Sequence, residues 1–281
     1  MANQVEHEFV NAVNRHGYAF QFGVLQRAKQ LFDEGKSPFG FEVSEFPVQV
    51  RGAHTRIDFI LQKKEGKLLL IAECKRANPA LSNWCFVRAP FVRGNRSVER
   101  PTVDRLRRDR GEIFYVEQVA SAMTDRAYHL AFEVKSQTKG DSGGTRATIE
   151  DAATQVCRGL NGLIEFYLRD VSLLKDMEEI WLLPVVFTTA NLLASEADLT
   201  ETKISSAEIG LSAATLKEVD WLLYQYHLSP GIKHETRYHP TSADLGVALD
   251  REFVRTIAVV SPTGIESFLG WAAALWFGKL D

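Results

Sequence analysis

Asp58, Glu73 and Lys75 lie on either side of Glu65-Gly66, a dipeptide suited to a tight turn because glycine tolerates a positive φ. With the turn centred there, position 64 pairs with 67, and the register carries Asp58 opposite Glu73. Directly opposed residues on one face of a hairpin sit about 5 Å apart at Cβ. Lys75 is two residues beyond Glu73, so strand alternation sends it to the same face. Two facing carboxylates repel, which raises the pKa of at least one unless a cation stands between them. Hard oxygen ligands that leave water in the coordination shell suit Mg²⁺, with Mn²⁺ able to substitute.

The elements that must position these residues are legible from pattern. Ile57, Phe59, Leu61, Leu70 and Ala72 are expected to form one apolar face of the hairpin, and Leu69 and Ile71 part of the other, so it is central in a sheet. Residues 39–50, 56–63 and 68–75 read as a meander of three strands. Before them, Val5, Phe9, Val10 and Val13 repeat at helical spacing up to Gly17, and a second helix spans 19–32 with a stop at Gly35.

After the hairpin, residues 76–110 read as irregular, 112–124 as a helix, 128–135 as a strand and 140–144 as a glycine-rich loop. Thr148 and Asp151 make a capping box for a helix over 149–168. Residues 181–189 read as a buried strand, 192–250 give no clear pattern, and 253–260 is a last strand before Ser261-Pro262 opens a closing helix. The expectation is an α/β fold: a mixed central β-sheet flanked by helices. Its parts would be an N-terminal helical extension (1–37), a core (38–191) and a C-terminal extension packed on that core (192–281).

Ile57-Asp58 followed by Ile71-Ala72-Glu73-Cys74-Lys75 resembles the PD-(D/E)XK signature of restriction-endonuclease-like nucleases. Ile57 stands where the signature has Pro. The motif itself covers residues 56–76, and the order of elements over 39–190 also fits that family's core. The resemblance implies that Asp58, Glu73 and the Cys74 carbonyl bind the metal. Lys75 would orient or help deprotonate the attacking water and offset charge on the pentacovalent phosphate. The reaction implied is Mg²⁺-dependent hydrolysis of DNA phosphodiesters by in-line attack of water, leaving 5′-phosphate ends. Restriction or defence against foreign DNA is a natural setting, RNA is the alternative substrate, and a catalytically inactive module binding nucleic acid or a protein partner is the alternative function.

Several further residues are candidates. Glu6 precedes an apolar helical run similar to the first helix of nuclease-fold Holliday-junction resolvases, whose Glu contributes a metal ligand; a solvated helix position is the other reading. Gln155 lies beside the apolar stripe of its helix, near Gly159 and Gly162, where some relatives place a Gln close to the active site. Arg88, Arg93, Arg96, Arg105, Arg107 and Arg108 follow the proposed catalytic strand and suit bidentate binding of phosphates. Phe132-Glu133-Val134-Lys135 repeats the ExK spacing, so Glu133 or Lys135 is a candidate to line the same cleft or compete for the role.

Composition bounds the rest. The chain has 281 residues, 45% hydrophobic and 25% charged, with formal net charge -3, so any polyanion site must be a local patch. Three cysteines without a CxxC pair read as reduced thiols. No targeting pattern opens the chain and no stretch is long and apolar enough to span a bilayer. The expectation is a cytoplasmic protein without membrane attachment, with DNA as partner and a homodimer compatible with the sequence.

Overall fold

A computed structural model describes residues 2–15, 17–64, 67–78, 81–88, 102–109, 112–119, 124–134, 148–169, 179–195, 208–211, 215–229, 231 and 253–275. Two helices open it, α1 (Ala2–Arg15) and α2 (Tyr18–Asp33). Gly17, with φ 77, separates them. At the end of α2, Gly35 takes φ 69 while the Lys36 N–H returns to the Leu31 carbonyl, so the left-handed residue satisfies the last turn. The apolar stripe of α1 does not meet a core: Val5, Phe9 and Val10 are all exposed.

Three antiparallel strands follow: β1 (Phe39–Val50), β2 (Ala53–Lys63) and β3 (Leu68–Lys75). The β2–β3 register pairs Phe59 with Ala72, Leu61 with Leu70 and Gln62 with Leu69, as a turn at 65–66 requires. On its other edge β3 pairs in parallel with β9 (Glu179–Thr188), which is followed across the sheet by β13 (Val254–Val260), β12 (Trp221–His227) and β7 (Ala127–Tyr128). The result is an α/β fold with a mixed nine-stranded sheet flanked by helices. A second, four-stranded sheet contains β11 (Leu216–Val219), β10 (Asn191–Ser195), β4 (Asn83–Val87) and β8 (Leu130–Val134), in that order.

Both faces of the large sheet are covered. On one, Phe59, Leu61, Leu70 and Ala72 pack with Val24 and Leu31 of α2 and with Phe268 of the closing helix α4 (Ile265–Ala273). On the other, Leu69 and Ile71 pack beneath α3 (Ile149–Arg169) through Leu160, Leu163 and Ile164. The capping box of α3 is formed reciprocally: the Asp151 N–H donates to Thr148 Oγ1 at 2.9 Å and the Thr148 N–H to Asp151 Oδ2 at 3.3 Å.

Ile57 departs from the expected face, joining Leu69 and Ile71 under α3 rather than Phe59. Ile57 and Ile60 lie on the same side with Phe59 opposite, so β2 changes parity at Asp58. In β1 the partly buried Val43 and Phe46 share the α3 side, a matching break around Glu45, whose φ is 51. A left-handed residue turns a strand locally, which lets both strands rotate their side-chain pattern at one level.

Other expectations are corrected. Residues 112–119 form strand β6 (Glu112–Val119), not a helix, paired with β5 (Thr102–Asp109) inside the stretch read as irregular. Ile113, Phe114, Tyr115 and Val116 are β-branched or aromatic types that fit a pleated surface better than a helix. The unread stretch 192–250 contains β11 and β12 among its described residues. Ser261 does precede the closing helical turn with Pro262 behind it, but its hydroxyl donates to the Asp220 carbonyl at 2.8 Å rather than capping the helix.

Candidate active site at a break in the sheet

The parity change shapes the site. Pairs Ser44↔Phe59 and Phe46↔Ile57 place Glu45 level with Asp58, and one step past Phe59↔Ala72 the register places Asp58 level with Glu73. Three carboxylates therefore form a row across β1, β2 and β3, ending at Val186 of β9, the partner of Glu73. At this level the ladder is replaced by side chains: Asp58 Oδ2 accepts from the Cys74 N–H at 2.7 Å. From the α2 face, Gln21 Nε2 donates to the Asp58 backbone carbonyl and to Glu45 Oε1, each at 3.0 Å. Gln21 thus satisfies a carbonyl freed by the break and ties it to the third carboxylate.

Lys75 Nζ lies 2.7 Å from Glu73 Oε1, with the two side chains 17% and 8% exposed. That contact alone would favour the charged carboxylate. Burial works against it more strongly, and the neighbouring negative charge of Asp58 adds to burial, so the Glu73 pKa is pushed up to about 7. Asp58 is raised as well, first by burial, with the Cys74 N–H and Lys75 partly offsetting and Glu45 adding to the rise. Burial and the adjacent carboxylates also push the Cys74 thiol well up, so the group this residue can offer a hard cation is its carbonyl oxygen, not a thiolate.

This donor set suits a divalent cation by its chemistry. Lys75 stands against Asp58 and Glu73, held in a partly dry site at an unfavourable charge balance, while Glu45 has the exposed Arg56 guanidinium 3.7 Å away. Among the described residues no three His, Cys, Asp or Glu side chains converge at ligating distance. Asp58 Oδ2 is directed at the Cys74 amide and Glu73 Oε1 at Lys75, which leaves the second oxygen of each carboxylate to face a cation. Two carboxylates, one main-chain carbonyl and water form a sufficient set for Mg²⁺.

The remaining candidates are placed elsewhere or spent on other contacts. Glu6 and Gln155 are exposed on α1 and α3. Glu133 belongs to the second sheet, where its Oε1 accepts the Ile149 N–H at 2.6 Å and caps α3. Lys135 lies outside the described residues, as do Arg93 and Arg96.

The described arginines do not form one patch. Arg88 donates to the carbonyls of Ala127 and Asp125 and stacks on Tyr128. Arg105 is paired with Glu179 at 2.5 Å and lies over Trp181. Arg107 and Arg108 are successive residues of β5 and so point to opposite faces of the sheet. On the same strand, Asp104 forms a buried ion pair with Arg255 at 3.2 Å.

Glu45 and Gln21 are the members of the site that motif reading missed. Arg51-Gly52 was a usable signal: a turn there carries Glu45 level with Asp58 by the counting that placed Glu73. No family model matches the chain, no curated protein matches it, and no solved structure matches it.

Proposed function

We propose that the chain is a Mg²⁺-dependent nuclease hydrolysing DNA phosphodiester bonds, built on a restriction-endonuclease-like core. The observation that carries this reading is the row of Glu45, Asp58 and Glu73 at a break in the sheet, with Lys75 in contact with Glu73. Asp58, Glu73 and the Cys74 carbonyl would hold the cation. When bound, it supplies charge neutralisation at a phosphoryl oxygen and lowers the pKa of a neighbouring water.

The residues supply the rest. The Lys75 ammonium, beside Glu73, would donate to the attacking water and to the equatorial oxygens of the phosphate. The water oxygen forms a bond to phosphorus as the bond to the 3′-oxygen breaks; the water's proton leaves to solvent or to a carboxylate of the row, and the departing 3′-oxygen takes a proton from solvent to leave a 3′-hydroxyl. Gln21 keeps Glu45 and the Asp58 backbone fixed during this step. Arg105, spent on Glu179 and Trp181, has no part in phosphate binding here.

The test is incubation of the purified chain with supercoiled plasmid, linear DNA and RNA, with Mg²⁺ or with chelator. Cleavage of DNA that needs the cation, and is lost in Glu73→Ala and Lys75→Ala with folding retained, is the expected result. Cleavage retained in both variants would place the chemistry elsewhere. Binding without cleavage under any condition would favour a module that only recognises its partner.

A further inference from the structure

The first two strands of the large sheet run well past the site. The last β2–β3 pair is Phe59↔Ala72, whereas β1 and β2 remain paired from Phe46↔Ile57 out to Val50↔Ala53. The tip is closed by Arg51 and Gly52 with φ of 46 and 82, the two left-handed residues of a turn whose twist matches its strands. Val48 and Ile57 face α3, and the helix comes close because Gly162 and Gly159 lack side chains. A Cβ at Gly162 would lie 2.7 Å from Val48 Cγ2, and one at Gly159 3.0 Å from Ile57 Cγ1. The Arg51 N–H reaches Glu165 Oε1 at 3.4 Å, so the tip is also attached to the helix. This is an arm with a rigid back.

Its free side has a distinct chemistry. With Val48, Val50 and Ile57 turned toward α3, alternation sends Pro47, Gln49, His54 and Arg56 to the other face, with Arg51 at the tip. Between Glu45 and Asp58 the sequence contains no acidic residue but holds Arg51, His54 and Arg56, all exposed. Among the described residues, the side chains of Arg51 and His54 make no hydrogen bond or ion pair, and Arg56 makes only a loose contact of 3.7 Å with Glu45. No large apolar side chain lies on that face, so it lacks the centre of a protein–protein interface.

We infer that the β1–β2 arm is the docking surface for one strand of duplex DNA, gripping the phosphates that flank the cleaved bond. The inference rests on the nuclease reading of the adjoining carboxylate row. At about 3.3 Å per residue, Arg56 and His54 lie roughly 7 and 13 Å along β2 from Asp58, and Arg51, past the end of β1, lies roughly 20 Å from the level of Glu45 and Asp58. Each DNA strand advances 3.4 Å per nucleotide, so the arm tracks on the order of two to six nucleotides to one side of the site. Arg51 and Arg56 give the arm a local positive charge that the net charge of -3 conceals.

The test measures binding apart from cleavage, using the full chain with chelator present and a fluorescent duplex of about twenty base pairs across roughly 50 to 200 mM salt. Arg51→Asn keeps a residue tolerant of the left-handed turn while removing the charge. It should weaken binding about tenfold and reduce the slope of log Kd against log salt by about one, and adding Arg56→Gln should double both effects on logarithmic scales. Arg51→Lys and Arg56→Lys should restore the slope. With Mg²⁺ present, Arg51→Asn/His54→Gln should raise KM and leave kcat unchanged. A wild-type slope in the neutralised variants, or a wild-type chain that does not bind duplex DNA or binds only RNA, would overturn the inference. Arm-dependent binding without any cleavage would uphold the arm and remove the nuclease reading; cleavage indifferent to these variants would do the reverse.

Discussion

Glu73→Gln should make the metal-free protein more stable at pH 8 and leave it nearly unchanged at pH 4. The Glu73 carboxyl titrates near 4.5 when unfolded and at about 7 in the fold, because burial and Asp58 oppose its charge. Between these values the folded chain holds a proton that the unfolded chain has lost, so folding stability falls as pH rises through that window. At ~1.36 kcal/mol per pH unit, the full loss is about 3 kcal/mol, complete above pH 7 and absent below pH 4.5. Gln reproduces the shape of the protonated acid and can accept from Lys75, but never acquires the charge.

The assay is urea unfolding of both proteins with chelator from pH 4 to 8, read as the difference between them. A difference that grows with pH toward about 3 kcal/mol is expected. Saturating Mg²⁺ at pH 8 should then close the gap by stabilising the wild type, by about 2.7 kcal/mol at a hundredfold excess over Kd. A variant less stable than wild type at pH 8, or a difference that does not change with pH, would refute the account of Glu73 as a buried, electrostatically strained carboxylate.

Two predictions concern the scaffold. Asp104→Ala removes the carboxylate that balances the buried Arg255 guanidinium and should lower stability by about 3–5 kcal/mol in chemical unfolding; Asp104→Leu with Arg255→Met should recover most of it. Gly162→Ala places a methyl group within 2.7 Å of Val48 Cγ2 and should cost about 1–3 kcal/mol, and adding Val48→Ala should relieve part of that loss. Equal losses in Gly162→Ala with and without Val48→Ala would show that the arm and α3 are not packed as described.

The hairpin was legible because a single turn and strict alternation determine it: once 65–66 turns, Phe59 must meet Ala72. The same logic misplaced Ile57, since alternation holds only where no residue leaves the extended region, and Glu45 does. Glu45 and Gln21 escaped notice for a different reason: they carry no motif, and their role exists only through long-range pairing of β1 and packing of α2. Residues 112–119 pair as a strand because aromatic and β-branched types dominate from Ile113 to Val116, a local preference that outweighs the helix expected there. Neighbours in the arginine run are not neighbours in space. Strand geometry separates Arg107 from Arg108, while Glu179 and Trp181 occupy Arg105.

One edge of β9 is divided between two partners. β5 pairs antiparallel with Glu179–Leu182, β13 pairs parallel with Val185–Phe187, and Pro184, which has no N–H to donate, stands at the handover. The partners come from residues 104–107 and 258–260, so the edge closes only after most of the chain has left the ribosome. Until then the apolar run Val185, Val186, Phe187 presents an open strand edge on the side of β9 away from β3, the kind of template that recruits other chains. Synthesis of this protein should therefore pass through a late, adhesive intermediate, and slow translation or truncation upstream of residue 254 should favour aggregation over folding.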